Sequence, residues 1–182
     1  FIIKNQKLAL GTGHVLLMAG EFVKREPFAV RFADDILASS KPVLPTLINY
    51  YRETQSSVLT LRKVSRRLVS RFGVVAAKKV SGSSGIFKIS KIIEKPRLEE
   101  APSNLVLIGA YILTPDVLKA VVFLDNKNKG NLKNDCLPLT DAFQLALKKK
   151  KKIFGWEFKG KYLDCGTLQT FYEAEKYLKT RR

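Results

Sequence analysis

Two spacings of apolar and polar residues alternate along this chain, and the switches between them mark its elements. Gly13 to Met18 reads as the start of a short helix, and Phe28 to Phe32 as a buried apolar strand ending at Asp34. Pro42 to Glu53 carries Val43, Leu47 and Tyr50 at helical spacing, and Ser57 to Val64 returns as a strand rich in β-branched residues. Two further strands, Gly73 to Val80 and Ile86 to Ile93, flank Ser81-Gly82-Ser83-Ser84-Gly85. That glycine-rich stretch lies between strands with no Lys-Ser/Thr sequel, so it reads as a hairpin turn and not as a phosphate cradle. Leu105 to Leu113 is another strand, and Thr114-Pro115-Asp116 has the form of a helix start with Thr114 as N-cap. Leu124 to Asn134 reads as a polar loop, Ala142 to Lys148 as a helix and Ile153 to Phe158 as a strand carrying Trp156. A short Tyr162–Leu163 strand and a closing helix from Thr167 to Lys179 complete the chain. No repeat or linker interrupts it. The pattern predicts one domain over residues 1–182, an α/β fold with a Rossmann-like mixed, mainly parallel sheet and flanking helices.

Composition narrows the possibilities. With 46% hydrophobic and 27% charged residues, the 182-residue chain is suited to a packed core and not to disorder. No apolar run reaches the roughly 20 residues of a membrane helix, and the sequence opens on Phe1 with no cleavable leader, so the cytoplasm is the expected address. Cys136 and Cys165 have no metal-binding companions and read as two buried thiols. Thirty-three Lys and Arg against sixteen Asp and Glu leave a net charge of +17. That excess attracts polyanions, nucleic acid included, only non-specifically, because the basic residues are scattered. The densest run, Lys148 to Lys152, closes a helical stretch where cations suit the helix dipole and the solvent face.

Two carboxylates stand where ligands of an α/β sheet are met, just beyond strand ends: Asp34 and Asp164. Either could simply close a turn; Asp35 could do the same beside Asp34. Oxygen ligands far apart in sequence suit a hard divalent cation. Gln6 offers both a donor and an acceptor, and Gly11 and Gly13 permit close approach to the backbone. Glu94 can accept hydrogen bonds from hydroxyls, and Lys95 is a compact cation suited to phosphate. His14, the single histidine, reads as structural near the start of its helix.

In order, Gln6 with Leu10-Gly11-Thr12-Gly13-His14, Pro27 to Asp35, Arg71-Phe72-Gly73-Val74-Val75, Ile93-Glu94-Lys95-Pro96 and Tyr162-Leu163-Asp164-Cys165-Gly166-Thr167 resemble the sugar-phosphate nucleotidylyltransferases. The likeness is strongest to the bacterial UTP–glucose-1-phosphate uridylyltransferases and runs almost from end to end, without the family's opening glycine-rich Gly-x-Gly-Thr-Arg loop. It implies transfer of a uridylyl group from UTP to glucose 1-phosphate, giving UDP-glucose and pyrophosphate. It also implies magnesium (Mg2+) between Asp34 and Asp164, and Gln6 and Gly11 at the base and nucleoside. Gly73 and Glu94 would meet the sugar, with Lys95 at its phosphate, and the full-length protein would be a homo-oligomer. The same resemblance implies that this chain is the C-terminal two-thirds of the family fold and transfers little by itself. Related thymidylyl- and other nucleotidylyltransferases share Asp-Cys-Gly-Thr, and a non-catalytic basic remnant is the alternative from another class. The sequence departs from the family at Ala33, at Gly109-Ala110-Tyr111 and at Cys136-Leu137-Pro138-Leu139-Thr140-Asp141.

Overall fold

A computed structural model describes residues 2–23, 25–83, 85–128 and 136–180. Among them, eight strands and five α-helices follow one another: α1 (Gly11–Val23), β1 (Phe28–Arg31), β2 (Asp35–Ala38), α2 (Val43–Thr54), β3 (Ser57–Lys63), β4 (Gly73–Lys79), β5 (Ile86–Glu94), β6 (Leu105–Leu113), α3 (Pro115–Asn128), α4 (Leu139–Lys148), β7 (Ile153–Glu157), β8 (Lys161–Asp164) and α5 (Leu168–Lys179). A 3-10 helix, Arg66–Arg71, precedes β4.

β6 is the axis of the molecule. All nine of its residues are buried, as expected of a near-continuous apolar run. Strand geometry sends successive side chains to opposite faces. Leu105, Leu107, Tyr111 and Leu113 thus join a core beneath α1, α3 and α4. Val106, Ile108, Ala110 and Ile112 face a second core beneath α2. Fully burying each Val, Leu or Ile side chain among these contributes about 1.5–3 kcal/mol.

Six strands form the main sheet in the order β1-β6-β3-β7-β5-β4, and a bridge between Val74 and Val106 brings β4 back to β6. The mixed sheet with flanking helices agrees with the sequence. Its direction does not: among the described residues only β3 and β7 pair in parallel, and every other pair is antiparallel. Parallel pairing requires a long crossover. β3 and β7 have one, whereas β4 and β5 are joined by the short glycine turn, where Val80 N–H bonds to the Ile86 carbonyl at 2.9 Å.

Other expectations are corrected locally. The Phe28–Phe32 segment is an edge strand with alternating half-buried and exposed residues, since only β6 flanks it among the described elements. The sequence pattern missed β2, which forms a separate two-stranded sheet with β8. α3 runs on through Asn128 because Leu124 extends the apolar stripe of Val117 and Val121 into the core; residues 129–134 of the expected loop lie outside the described residues, as does Ser84 of the hairpin turn. The Thr114 hydroxyl pairs with Ser57 Oγ at 3.0 Å instead of capping α3. Cys136 is exposed and Cys165 half-buried, so neither is a core thiol. Thr167 does cap α5, through a reciprocal pairing with Thr170.

Candidate functional site

The β2–β8 ladder brings the two distant acids together. Asp35 pairs in register with Asp164, and Cys165 N–H donates to the Asp34 carbonyl at 2.8 Å. A Cβ built on Gly166 would lie 3.1 Å from Asp164 Oδ1 and 3.8 Å from Asp34 Oδ2, so both carboxylates converge on the same small space. Asp164 is tethered: Gly166 N–H donates to its Oδ1 at 2.8 Å, and the Arg71 guanidinium lies 3.6 Å from its Oδ2. The Asp34 carboxylate is exposed and has no hydrogen-bond or ion-pair partner among the described residues.

Asp35, its neighbour, faces the other way. Its carboxylate accepts Gly109 N–H and the Tyr162 hydroxyl, each at 2.6 Å, and so ties β2 to β6 and β8. A side chain at Gly109 would collide with the Asp35 carboxylate, which explains the glycine there. Burial raises the Asp35 pKa above 3.8; the hydrogen bonds from Tyr162 and Gly109 oppose the rise, and the charges of Asp34 and Asp164 add to it. Burial also pushes the Tyr162 phenol well up, reinforced by its bond to Asp35. Burial first, then the three carboxylates, raise the Cys165 pKa above 9.0, which keeps its sulfur a thiol at neutral pH.

Asp34 lines a cleft of about 230 Å³ that reaches between β4, β5, β6 and α4. Asp164 lines an adjoining groove of about 300 Å³, which shares Arg71, Phe72 and Tyr162 with the cleft. Glu94 stands at the end of β5 inside the cleft, where its Oε2 accepts the Thr140 hydroxyl at 3.0 Å. Gly73 lies opposite: a Cβ there would come within 2.8 Å of Thr140 Cγ2 and 3.4 Å of Glu94 Oε2. Lys95 is not among the lining residues. Its backbone adopts a left-handed φ of 41°, its N–H donates to the Phe72 carbonyl at 3.1 Å, and its side chain is exposed. Such a conformation costs on the order of 1–3 kcal/mol and concentrates at functional sites.

Gln6 and Gly11 occupy a different neighbourhood. Gly11, at φ 86°, packs against the Leu137 carbonyl, and Leu137 N–H donates to the Leu10 carbonyl at 2.8 Å. Gln6 Nε2 lies 3.0 Å from His14 Nδ1 and 3.3 Å from the Gly11 carbonyl. His14 therefore has a structural partner, as expected. Thr12 alone from this segment lines the cleft, while its hydroxyl accepts Leu139 N–H at 3.1 Å.

Several site residues escaped the sequence reading. Tyr111 is 5% exposed, is held edge-on between Phe32 and Phe143, and lines the cleft with no hydrogen-bond partner for its hydroxyl among the described residues. Burial, then the charges of Asp35 and Glu94, push its pKa far up, so it is a neutral donor. Thr140 and Arg71 sit within the quoted motifs, but nothing in their spacing marks a role.

Paired, open carboxylates with oxygen-only donors fit a hard divalent cation that keeps waters and phosphate oxygens as its other ligands. Among the described residues no group of three or more His, Cys, Asp or Glu side chains could enclose a metal, so the protein offers two ligands and not a closed cage.

A mixed sheet with two converging acids at one pole and a partly polar cleft beside them is the frame in which the candidate residues stand. The chain belongs to the nucleotidyl transferase family, whose profile matches residues 2–181. It is 31% identical over 179 residues to the UTP–glucose-1-phosphate uridylyltransferase of Pseudomonas aeruginosa, covering 97% of this chain and 61% of that protein. The enzyme of the same name from Staphylococcus epidermidis is 33% identical over 162 residues, covering 89% of this chain and 54% of its own length. A crystal structure of UDP-glucose pyrophosphorylase complexed with UDP-glucose superposes with a TM-score of 0.85 at 35% identity, over 97% of this chain and 65% of that one. The chain thus spans less than two thirds of the length of these relatives.

Proposed function

We propose that the full-length protein bearing these residues transfers the uridylyl group of UTP to glucose 1-phosphate, releasing pyrophosphate and forming UDP-glucose. The observation that carries this reading is the convergence of Asp34 and Asp164 beside a cleft that holds Glu94, Gly73 and Thr140. A phosphate oxygen of the sugar phosphate attacks the α-phosphorus of UTP. One P–O bond forms, the bond to the β-phosphate breaks, and its electron pair leaves with pyrophosphate. The attacking phosphate is already anionic at neutral pH, so no side chain need remove a proton. Alignment and charge neutralisation carry the rate.

Each candidate residue has a part in this scheme. Asp34 and Asp164 would hold magnesium, which when bound supplies positive charge to the α-phosphate oxygens. Arg71 restrains Asp164, and Asp35, through Tyr162 and Gly109, fixes the ladder that bears both acids. Glu94 accepts sugar hydroxyls while Thr140 sets its rotamer, Tyr111 donates from the cleft floor, and the Gly73 backbone meets the sugar. Lys95, exposed and next to Glu94, would serve the sugar phosphate. Gln6 and Gly11 take the base and nucleoside; the Gln6 amide oxygen, which has no partner among the described residues, suits the N3–H of uracil. A cytoplasmic homo-oligomer accords with the same reading.

Pyrophosphate release from UTP and glucose 1-phosphate, measured on the full-length protein, tests the assignment. Asp34→Asn is expected to abolish it; unchanged turnover in that variant removes the metal role. Competition between UTP and dTTP decides the base.

A further inference from the structure

A further groove lies at the other end of the same ladder from the acidic pole and shares only Lys161 with the groove that Asp164 lines. The β2–β8 pairing starts with Asp35 opposite Asp164 and ends with Ala38 opposite Lys161. Beyond that end a groove of about 690 Å³ opens between the segment leading into α2, the start of β5, the β7–β8 turn and α5. Its volume falls in the range of small-molecule sites, roughly 300–1,000 Å³.

The lining is cationic. Lys41, Lys159 and Lys161 contribute three ammonium groups against one carboxylate, Glu157, which lies 3.8 Å from Lys63 Nζ outside the groove. Lys161 Nζ is poised 5.4 Å from the centre of the Tyr177 ring, which holds that cation at the groove wall. Trp156, 8% exposed, lines the groove, and its indole N–H, near Gly85, has no hydrogen-bond partner among the described residues and is not sealed from solvent. An accessible, unpaired N–H at the groove wall is free to donate to a ligand acceptor in place of water.

Ammonium groups around a concave wall, with a fixed N–H donor below, match phosphate oxygens. A groove of bounded volume selects a small molecule over the extended backbone of a nucleic acid. We infer that this groove binds a small, multiply phosphorylated metabolite, at a site separate from the Asp34–Asp164 cleft. The inference does not rest on the proposed reaction, since it uses none of the residues assigned to it.

Trp156 is the single tryptophan of the chain and lies in the groove, so its fluorescence reports occupancy. The probe is 2,3-bisphosphoglycerate, which is neither a nucleotide nor a sugar 1-phosphate. Titration of the protein is expected to give a saturable change in Trp156 emission. Lys159→Gln combined with Lys161→Gln is expected to weaken the apparent affinity at least about tenfold. Lys148→Gln with Lys152→Gln removes the same charge from the exposed end of α4 and is expected to leave the affinity within about twofold, as a remote surface change. Asp34→Asn is expected to leave it unchanged. No saturable signal, equal weakening by both double variants, or loss of the signal in Asp34→Asn would each overturn the inference. Failure of the UDP-glucose assay would leave it standing.

Discussion

Two motif regions differ in what the fold does with them. At the β2–β8 pole, residues 130 positions apart in the chain meet, and the carboxylate of one of the two acids, Asp34, is left with no protein partner among the described residues. In the Gln6–His14 segment the hydrogen bonds among the described residues are local or go to Leu137 and Leu139, and the Gln6 amide nitrogen, His14 and Thr12 side chains already have partners. The first region holds two like charges close together, only one of them, Asp164, with a cationic neighbour, so a divalent cation between them would relieve their repulsion. The second is largely satisfied within itself: only the Gln6 amide oxygen is open, and a base must displace a hydrogen bond to claim the amide nitrogen. An open polar group therefore points to chemistry more directly than a motif does.

The sharpest way to break this contrast is to remove the open acid. Asp34→Asn or Asp164→Asn in the full-length protein is expected to lower turnover by about 10²-fold or more, the scale of a lost charge-stabilising group, and chelation of divalent ions is expected to do the same. Gln6→Ala is expected to raise KM for UTP by roughly tenfold with a smaller change in kcat, since it removes about one hydrogen bond to the base. Similar losses in all three variants would erase the distinction.

Between these lies the clamp. Gly109→Ala drives a methyl group into the Asp35 carboxylate and is expected to cost about 1–3 kcal/mol, read as a lower denaturation midpoint. Asp35→Ala leaves the Tyr162 hydroxyl and Gly109 N–H without their acceptor and is expected to cost about 1–3 kcal/mol for each donor that stays buried. Thr140→Val is expected to raise KM for glucose 1-phosphate about fivefold while leaving KM for UTP unchanged, as the Glu94 carboxylate loses its 3.0 Å donor. The smallest effect falls on His14. A general base is worth about 10²–10⁴ in rate, whereas His14→Ala is expected to leave the pH profile of kcat unaltered because its Nδ1 faces Gln6.

Much of the frame was legible because local periodicity survives folding. β3, β5, β6, α2 and α5 fall within a residue or two of the strands and helices that the apolar pattern predicts, and Thr167 caps its helix. The Gly82–Gly85 turn closes a hairpin as read. β2 was not legible: Asp35-Ile36-Leu37-Ala38 is four residues long and all half-buried, so it has neither a full period nor a clear face. The α3 extension was hidden for the opposite reason, because one leucine among polar residues looks like loop until a core receives it.

Residue types and their order along the chain determined that Asp34, Asp164, Glu94 and a glutamine five residues ahead of Gly11 were available as candidate site residues. Which of two adjacent aspartates is free and which is locked, and that Arg71, Thr140 and Tyr111 share one cleft, was decided only in three dimensions. Neighbouring residues of a strand point to opposite faces, and which face is solvent depends on the partner strand, not on the residue. The antiparallel return of β8 along β2 directs Asp35 toward Gly109 and leaves Asp34 outside, open to a cation.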